Sequence, residues 1–246
     1  MEKVYRQSVQ ITENLTDGFG RLKSSALLYL AQNAATAHCQ LLSLDWDTLS
    51  KRNLFWAVIR HRVEVTRLPL AGETITVETW PMPSTRVAYP RATTAYDAQG
   101  KELFRMVSLW VLMNQHSRAM VLPGNSGVTV DGLLRGTELE LPGNLPVKQA
   151  AGAVLRQVQY TELDRNLHMN NTRYLDWVED LLPGIFHQSH PLKRATICYL
   201  SEMREGQEAI LNWQLSNDGT LFVSAHRTES REGDSGQRVF TANMEF

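Results

Sequence analysis

Asp164, Asn166 and His168 stand two residues apart within the run 160–182, YTELDRNLHMNNTRYLDWVEDLL, and bring a carboxylate, an amide and an imidazole together. On extended backbone a period of two directs all three side chains to one side of the chain. A polar face of that kind suits acid–base work, in which a positioned group moves a proton and a neighbour orients it. The same spacing also reads as an Asx-rich turn entering a helix, and the residues alone leave both readings open. Asn170, Asn171 and Thr172 can cap a helix in which Tyr174, Trp177, Val178 and Leu181 recur at helical spacing, with Arg173, Asp176, Glu179 and Asp180 opposite. Pro183 and Gly184 then end it.

The elements that must position this run follow from alternation and turn signals. Residues 4–11 alternate as a strand, and Asp17-Gly18-Phe19-Gly20 follows as a turn. A long helix starts at Ser24, whose hydroxyl is the expected cap, and carries Leu27, Leu30, Ala31, Ala34, Ala35, His38, Leu41 and Leu42 on one broad face. His38 reads as a core histidine satisfied by a hydrogen bond and is given no role. Residues 55–65, 73–80, 87–96 and 103–113 are rich in β-branched and aromatic side chains, and the short turns between them suit an antiparallel meander. Arg60-His61-Arg62 reads as the solvated face of a strand, with contact to an acidic partner as the sharper alternative. Residues 154–160, 195–203, 208–215, 221–228 and 238–246 make a second set of strands.

One helix followed by several strands, twice over, is an α+β chain with an internal repeat. The Pro/Gly-rich stretch 123–150 is the expected linker between a domain at 1–122 and one at 151–246. Gln10-Ile11-Thr12-Glu13 parallels Gln159-Tyr160-Thr161-Glu162, and 59–64 match 197–202 in spacing. Where the second half carries Asp164, Asn166 and His168, the first offers Asp17-Gly18-Phe19-Gly20-Arg21. Only the second copy keeps the polar set.

Bulk properties exclude several classes. With 43% hydrophobic residues, 21% charged and a net charge of −1, the 246-residue chain lacks the basic excess of a nucleic-acid binder. No apolar run is long enough to span a bilayer, and the first residues, MEKVYRQSVQITEN, carry no apolar core that would make a secretory signal. Cys39 and Cys198 form neither a metal spacing nor a disulfide framework, so a reducing cytoplasm is the expected location. His187 and His190 sit among Gln188, Ser189 and Pro191, which suggests a surface loop rather than a metal site. No cofactor or metal is expected.

These residues together resemble the acyl-acyl carrier protein (ACP) thioesterases, fatty-acyl hydrolases of plants and bacteria. Asp164, Asn166, His168, Asn170, Asn171, Tyr174 and Trp177 match the signature of that family's second domain, and Trp110-Val111-Leu112-Met113-Asn114-Gln115-His116-Ser117-Arg118 resembles that of its first. The resemblance implies a tandem double hot-dog fold, each half a long helix packed on an antiparallel sheet, with the acyl pocket in the first half and catalysis in the second. It also implies a catalytic glutamate followed by cysteine on the strand after the second helix. Here the pair is Glu202-Met203, and methionine has no ionisable thiol, so a cysteine mechanism cannot run through position 203. Cys198, an odd offset from Met203 on a regular strand, faces the other way as a small buried hydrophobe.

The implied reaction is hydrolysis of a fatty acyl-ACP thioester. A thiol with a pKa of about 8.5 leaves without a strong acid, so the site needs a base and an electrostatic clamp. Asp164 and Glu202 are the candidate bases, with direct carboxylate attack to give an anhydride left open, Asn166 and His168 the orienting groups, and backbone N–H groups at a nearby helix N-terminus the expected oxyanion donors. Arg60, Arg62, Arg67, Lys193 and Arg194 are basic residues that could meet an acidic carrier protein. An acyl-CoA thioesterase and a non-catalytic acyl-binding regulator of the same fold are the alternatives, and a homodimer is left open.

Overall fold

The structure, a computed structural model, describes residues 3–136, 139–228 and 236–246. Met1 and Glu2 of the N-terminal stretch, and Thr137 and Glu138 of the expected linker, lie outside the described residues. The chain divides into two compact units, Met1–Pro142 and Gly143–Phe246.

In the first unit, β1 (Tyr5–Gln10) leads through a 3₁₀ turn to α1 (Ser24–Leu41) and the short α2 (Trp46–Ser50). Then come β2 (Leu54–Val65), β3 (Thr74–Pro81), β4 (Tyr89–Tyr96), β5 (Glu102–Asn114), β6 (Met120–Val121) and α3 (Pro123–Ser126). The strands are antiparallel in the order β1-β3-β4-β5-β2, with β6 on β5. Leu27, Leu28, Leu30, Ala31, Ala34 and Ala35 of α1 are buried, and the helix packs against β3 and β1, where Ile75 and Val77 are also buried. Each buried leucine contributes about 2 kcal/mol of hydrophobic stabilisation. The cap expected at Ser24 is displaced by one residue: Lys23 holds the cap position and Ser24 is buried inside the helix.

His61 departs from its expected solvated position. Val58 faces Trp110 and Arg60 faces Leu109, so Ile59 is an extra residue that bulges β2 and changes which side chains face inward. His61 is buried opposite Ser108, whose Oγ lies 2.8 Å from Nδ1. Arg60 donates to the Pro142 carbonyl and Arg62 pairs with Glu64 and Glu140, so both are engaged within the unit. His38 is a buried core histidine as expected, 3.1 Å from Nη1 of the buried Arg91.

In the second unit, β7 (Gly152–Gln157) is followed by α4 (Tyr174–Glu179), α5 (Gly184–Ser189), β8 (Arg194–Tyr199), β9 (Glu208–Leu215), β10 (Thr220–Arg227) and β11 (Arg238–Glu245). The antiparallel order is β8-β11-β10-β9-β7. Tyr174, Leu175, Trp177 and Val178 of α4 are buried, as expected from their spacing. The helix is shorter than that spacing predicts. Asn171–Arg173 form a 3₁₀ turn, α4 ends at Glu179, and Leu181 and Leu182 bond three residues back rather than four. Pro183 causes the closure, because its ring clashes with a preceding helical carbonyl and forces Leu182 out of helical geometry. The expected loop around His187 is instead α5, and His187 Nε2 lies 3.0 Å from the Glu179 carbonyl at the end of α4.

Burial pushes the His61 imidazole down to about 3 from an ordinary value of 6.5. As pH falls from 6.5 toward 3 the unfolded chain takes up a proton that the folded chain refuses, so stability falls by up to about 1.4 kcal/mol per pH unit. Urea unfolding should therefore lose stability between pH 7 and pH 5, and His61→Gln should flatten that dependence. An unchanged slope in the variant would assign the acid sensitivity to other groups.

Candidate active site

The run that carries Asp164, Asn166 and His168 is a tight turn, not extended backbone. Asp164 Oδ1 accepts the main-chain N–H groups of Asn166 at 2.7 Å and His168 at 3.2 Å, and Oδ2 accepts Asn166 Nδ2 at 3.3 Å. Asp164 N donates to His168 O at 2.8 Å and Leu167 N to Asp164 O at 3.0 Å, which closes the loop. The three side chains therefore do not share a strand face. Asp164 is spent on the turn, Asn166 is exposed and bonded back to Asp164, and His168 leaves the turn on its own.

The first unit contains the same turn. Asp17 Oδ1 accepts Phe19 N and Arg21 N, both at 2.9 Å, and Asp17 N donates to Arg21 O at 2.7 Å. Thr16 bridges Leu22 as Leu163 bridges Met169. The preceding 3₁₀ turns, Glu13–Leu15 and Tyr160–Glu162, keep the same offset, so Glu13 corresponds to Tyr160 and the match of Glu13 with Glu162 is two residues out of step. Gly20 at φ 74° corresponds to Leu167 at φ 60°, and Arg21 to His168. Arg21 turns back to Asp17, with Nη2 3.0 Å from Oδ2. His168 instead points Nε2 to Oε2 of Glu202, 3.4 Å away.

Glu202 reaches this position from a loop rather than from a strand, since β8 ends at Tyr199. The strand-face argument for Cys198 thus stops three residues short of Glu202, although Cys198 is buried as expected and its Sγ–H donates to the Gly143 carbonyl at 3.3 Å. The two loops are joined by one main-chain bond, Met169 N to Met203 O at 2.7 Å. That bond sets His168 and Glu202 side by side, because each is the immediate neighbour of a bonded residue. Glu202's side chain is 50% exposed and His168's 15%, so the carboxylate is the more accessible of the two to a ligand.

Glu162 is a positioning residue that motif reasoning missed. Its Oε2 accepts Gln159 N at 2.8 Å and its Oε1 accepts Trp177 Nε1 at 2.6 Å, which ties the start of the turn to α4. The signal was present in the sequence as Gln159-x-x-Glu162, a capping-box spacing. Asn170 caps as expected, its Oδ1 accepting Thr172 N and Oγ1 at 3.0 Å. Because Thr172 N and Arg173 N are bonded to Asn170, those two groups are not oxyanion donors as expected of a helix start. Tyr174 packs edge-on to Tyr199 and Phe240, and its hydroxyl is pushed up by burial, with the Glu202 carboxylate adding to the effect.

In the first unit, the segment Asn114–Arg118 is also a turn. Asn114 Oδ1 accepts His116 N and Ser117 N, and Arg118 takes the left-handed φ of 56°. Of the five basic residues considered for a carrier protein, Arg67 pairs with Glu73, Arg194 with Glu245, and Lys193 donates to the Phe246 carbonyl, so these and the Arg60 and Arg62 pairs are occupied within their own units. Among the described residues no group of three His, Cys, Asp or Glu could hold a metal ion, and no helix is long and apolar enough to cross a membrane.

Residues 2–122 match the acyl-ACP thioesterase N-terminal domain and residues 148–246 its C-terminal domain. The chain belongs to the acyl-ACP thioesterase family. Among curated relatives, a dodecanoyl-[acyl-carrier-protein] hydrolase of Cinnamomum camphora is 30% identical over 72% of this chain and 50% of its own length. An acyl-[acyl-carrier-protein] hydrolase of Cuphea viscosissima is 25% identical over 93% of this chain and 60% of its own. The chain thus spans between half and two thirds of these relatives. The fold is similar to that of an acyl-ACP thioesterase from Bacteroides thetaiotaomicron, with a TM-score of 0.87 at 23% identity over 99% of this chain and 98% of that one. The 12:0-ACP thioesterase from Umbellularia californica gives 0.82 at 24% identity over 100% and 97%. The α+β hot-dog fold is that of the family.

If the Asp-capped turn is scaffold in both copies, Asp164→Ala should lower stability by about 1–2 kcal/mol, Asp17→Ala by a similar amount, and Asp164→Asn by much less, since an amide oxygen still accepts the N–H groups. Thermal unfolding of the three variants measures this. Equal losses for Asn and Ala at 164 would mean that the charge, not the hydrogen bonds, holds the turn.

Proposed function

We propose that this chain hydrolyses the thioester of a fatty acyl-ACP, releasing the free fatty acid and the carrier protein. The supporting observation is the His168–Glu202 pair, set across two loops of the second unit by the Met169–Met203 bond, in a chain of this family. Glu202, half exposed and beside an imidazole, is the base. It takes a proton from water as the oxygen attacks the thioester carbon, the C–S bond breaks, and the thiolate departs without a strong acid. His168 orients the carboxylate and the water. Asp164 and Asn166 complete the site by building the turn that presents His168, and the occupied Asp164 carboxylate is a poor nucleophile for an anhydride route.

The first unit keeps the turn but carries Arg21 where the second has His168, and we read it as the copy that houses the acyl chain, with 1–122 and 151–246 as the two domains joined by 123–150. Position 203 holds a buried methionine with no ionisable thiol, which supports a cysteine-independent reaction, and the unpaired Cys39 and Cys198 suit a reducing, cytoplasmic setting.

Purified protein given matched acyl-ACP and acyl-CoA thioesters should release fatty acid, faster from ACP. A preference for CoA would move the substrate class, and no release from either would favour a binding protein. His168→Ala and Glu202→Gln should each lower kcat by about 10²-fold or more, with Cys39→Ser/Cys198→Ser near wild type. Under single turnover in ¹⁸O-water, label should enter the fatty acid and not a protein carboxylate; labelled Asp164 or Glu202 would overturn direct water attack.

A further inference from the structure

Glu202 lies beyond the last ladder pair of β8, so its direction has to be set by something other than strand register. The support comes from an irregularity between β10 and β11. Ala225 faces Phe240 while His226 faces Arg238, which leaves Val239 as an extra residue in the ladder. Val239 is fully buried, and its carbonyl accepts two successive amides of the Glu202 loop, Leu200 N at 2.8 Å and Ser201 N at 3.1 Å. Ser201 Oγ donates to the neighbouring Arg238 carbonyl at 3.1 Å. The next residue is held by a side chain: Arg227, on the facing strand, donates from Nη2 to the Glu202 carbonyl. Met203 is then held by Met169.

Arg227 is only 9% exposed, and its own backbone is fixed by Gln237 and Gly236. Burying a guanidinium is unfavourable unless its donors and charge are matched. The match here includes the carbonyl of the residue assigned as base. Tyr174 feels both charges: beyond the effect of burial, the Glu202 carboxylate pushes its hydroxyl up and the Arg227 guanidinium opposes that.

We propose that Arg227 is a positioning residue for thioester hydrolysis, holding the Glu202 carbonyl at the β10–β11 bulge so that the carboxylate leaves the loop toward His168. The inference rests on Glu202 being the base. A peptide unit rotated by loss of this bond would swing the carboxylate away from a partner it now meets at 3.4 Å, and small misplacements of reacting groups cost about 10²-fold in rate.

The test is a double-mutant cycle on an acyl-ACP substrate, with kcat and KM for wild type, Arg227→Met, Glu202→Gln and the double variant, and thermal unfolding of each. Arg227→Met should lower kcat about 10–100-fold with KM within about twofold, and should cost little further in the Glu202→Gln background, where no carboxylate remains to be aimed. An equal loss in both backgrounds means that Arg227 acts on the fold at large and overturns the inference. A wild-type rate in Glu202→Gln is a different result, which removes the base assignment and this inference with it. Should Arg227→Met fail to fold, Arg227→Lys, which keeps the cation but replaces the planar guanidinium fork with a shorter-reaching ammonium, replaces it in the cycle. A kcat loss that vanishes beside Glu202→Gln supports positioning, and an unchanged kcat or an additive loss overturns it.

Discussion

The hydrogen bonds that Asp164 accepts within its own turn constrain the rest of the site. A carboxylate that caps two amides and one side-chain amide has few lone-pair positions left for chemistry. Its local duty fixes the path of the next four residues and leaves His168 as the side chain that exits the turn. Everything downstream follows from that exit: Met169 meets Met203, and Glu202 comes to lie beside the imidazole.

The repeat shows one capped turn carrying different side chains in its two copies. The first unit keeps the capping aspartate and the bridge that closes the turn, with glycine at the left-handed position and an arginine that folds back on the cap. The second unit has leucine at that left-handed position, 68% exposed, although this conformation costs an L-residue about 1–2 kcal/mol. It tolerates the strain because the surrounding bonds over-determine the turn. Where Arg21 closes an ion pair with its own turn, its counterpart His168 meets a carboxylate from a different loop.

Irregular backbone does the remaining positioning. The β2 bulge at Ile59 accompanies the burial of His61, and the break at Val239 supplies a carbonyl for two amides of the Glu202 loop. Both sit where a regular ladder would have pointed the neighbouring side chains elsewhere. Pro183 acts in the same way on α4, shortening it to six residues and leaving Glu179's carbonyl near His187.

Much of the fold is legible in the chain itself. Alternation places the strands of both halves to within a few residues, and the apolar face from Leu27 to Ala35 specifies a buried helix, because side-chain periodicity is a local consequence of backbone geometry. The candidate set Asp164, Asn166 and His168 is legible as a motif, Glu202 joins it only through the family resemblance, and position 203 is read directly as a methionine with no thiol. Their arrangement is not. A period of two means a shared face only if the backbone is extended, and the side chain of Asp164 itself bends it into a turn. His168 and Glu202 are far apart in sequence, and their meeting depends on bonds between loops and on a ladder defect in strands that neither residue occupies. Such contacts are decided by tertiary packing, which no local pattern encodes.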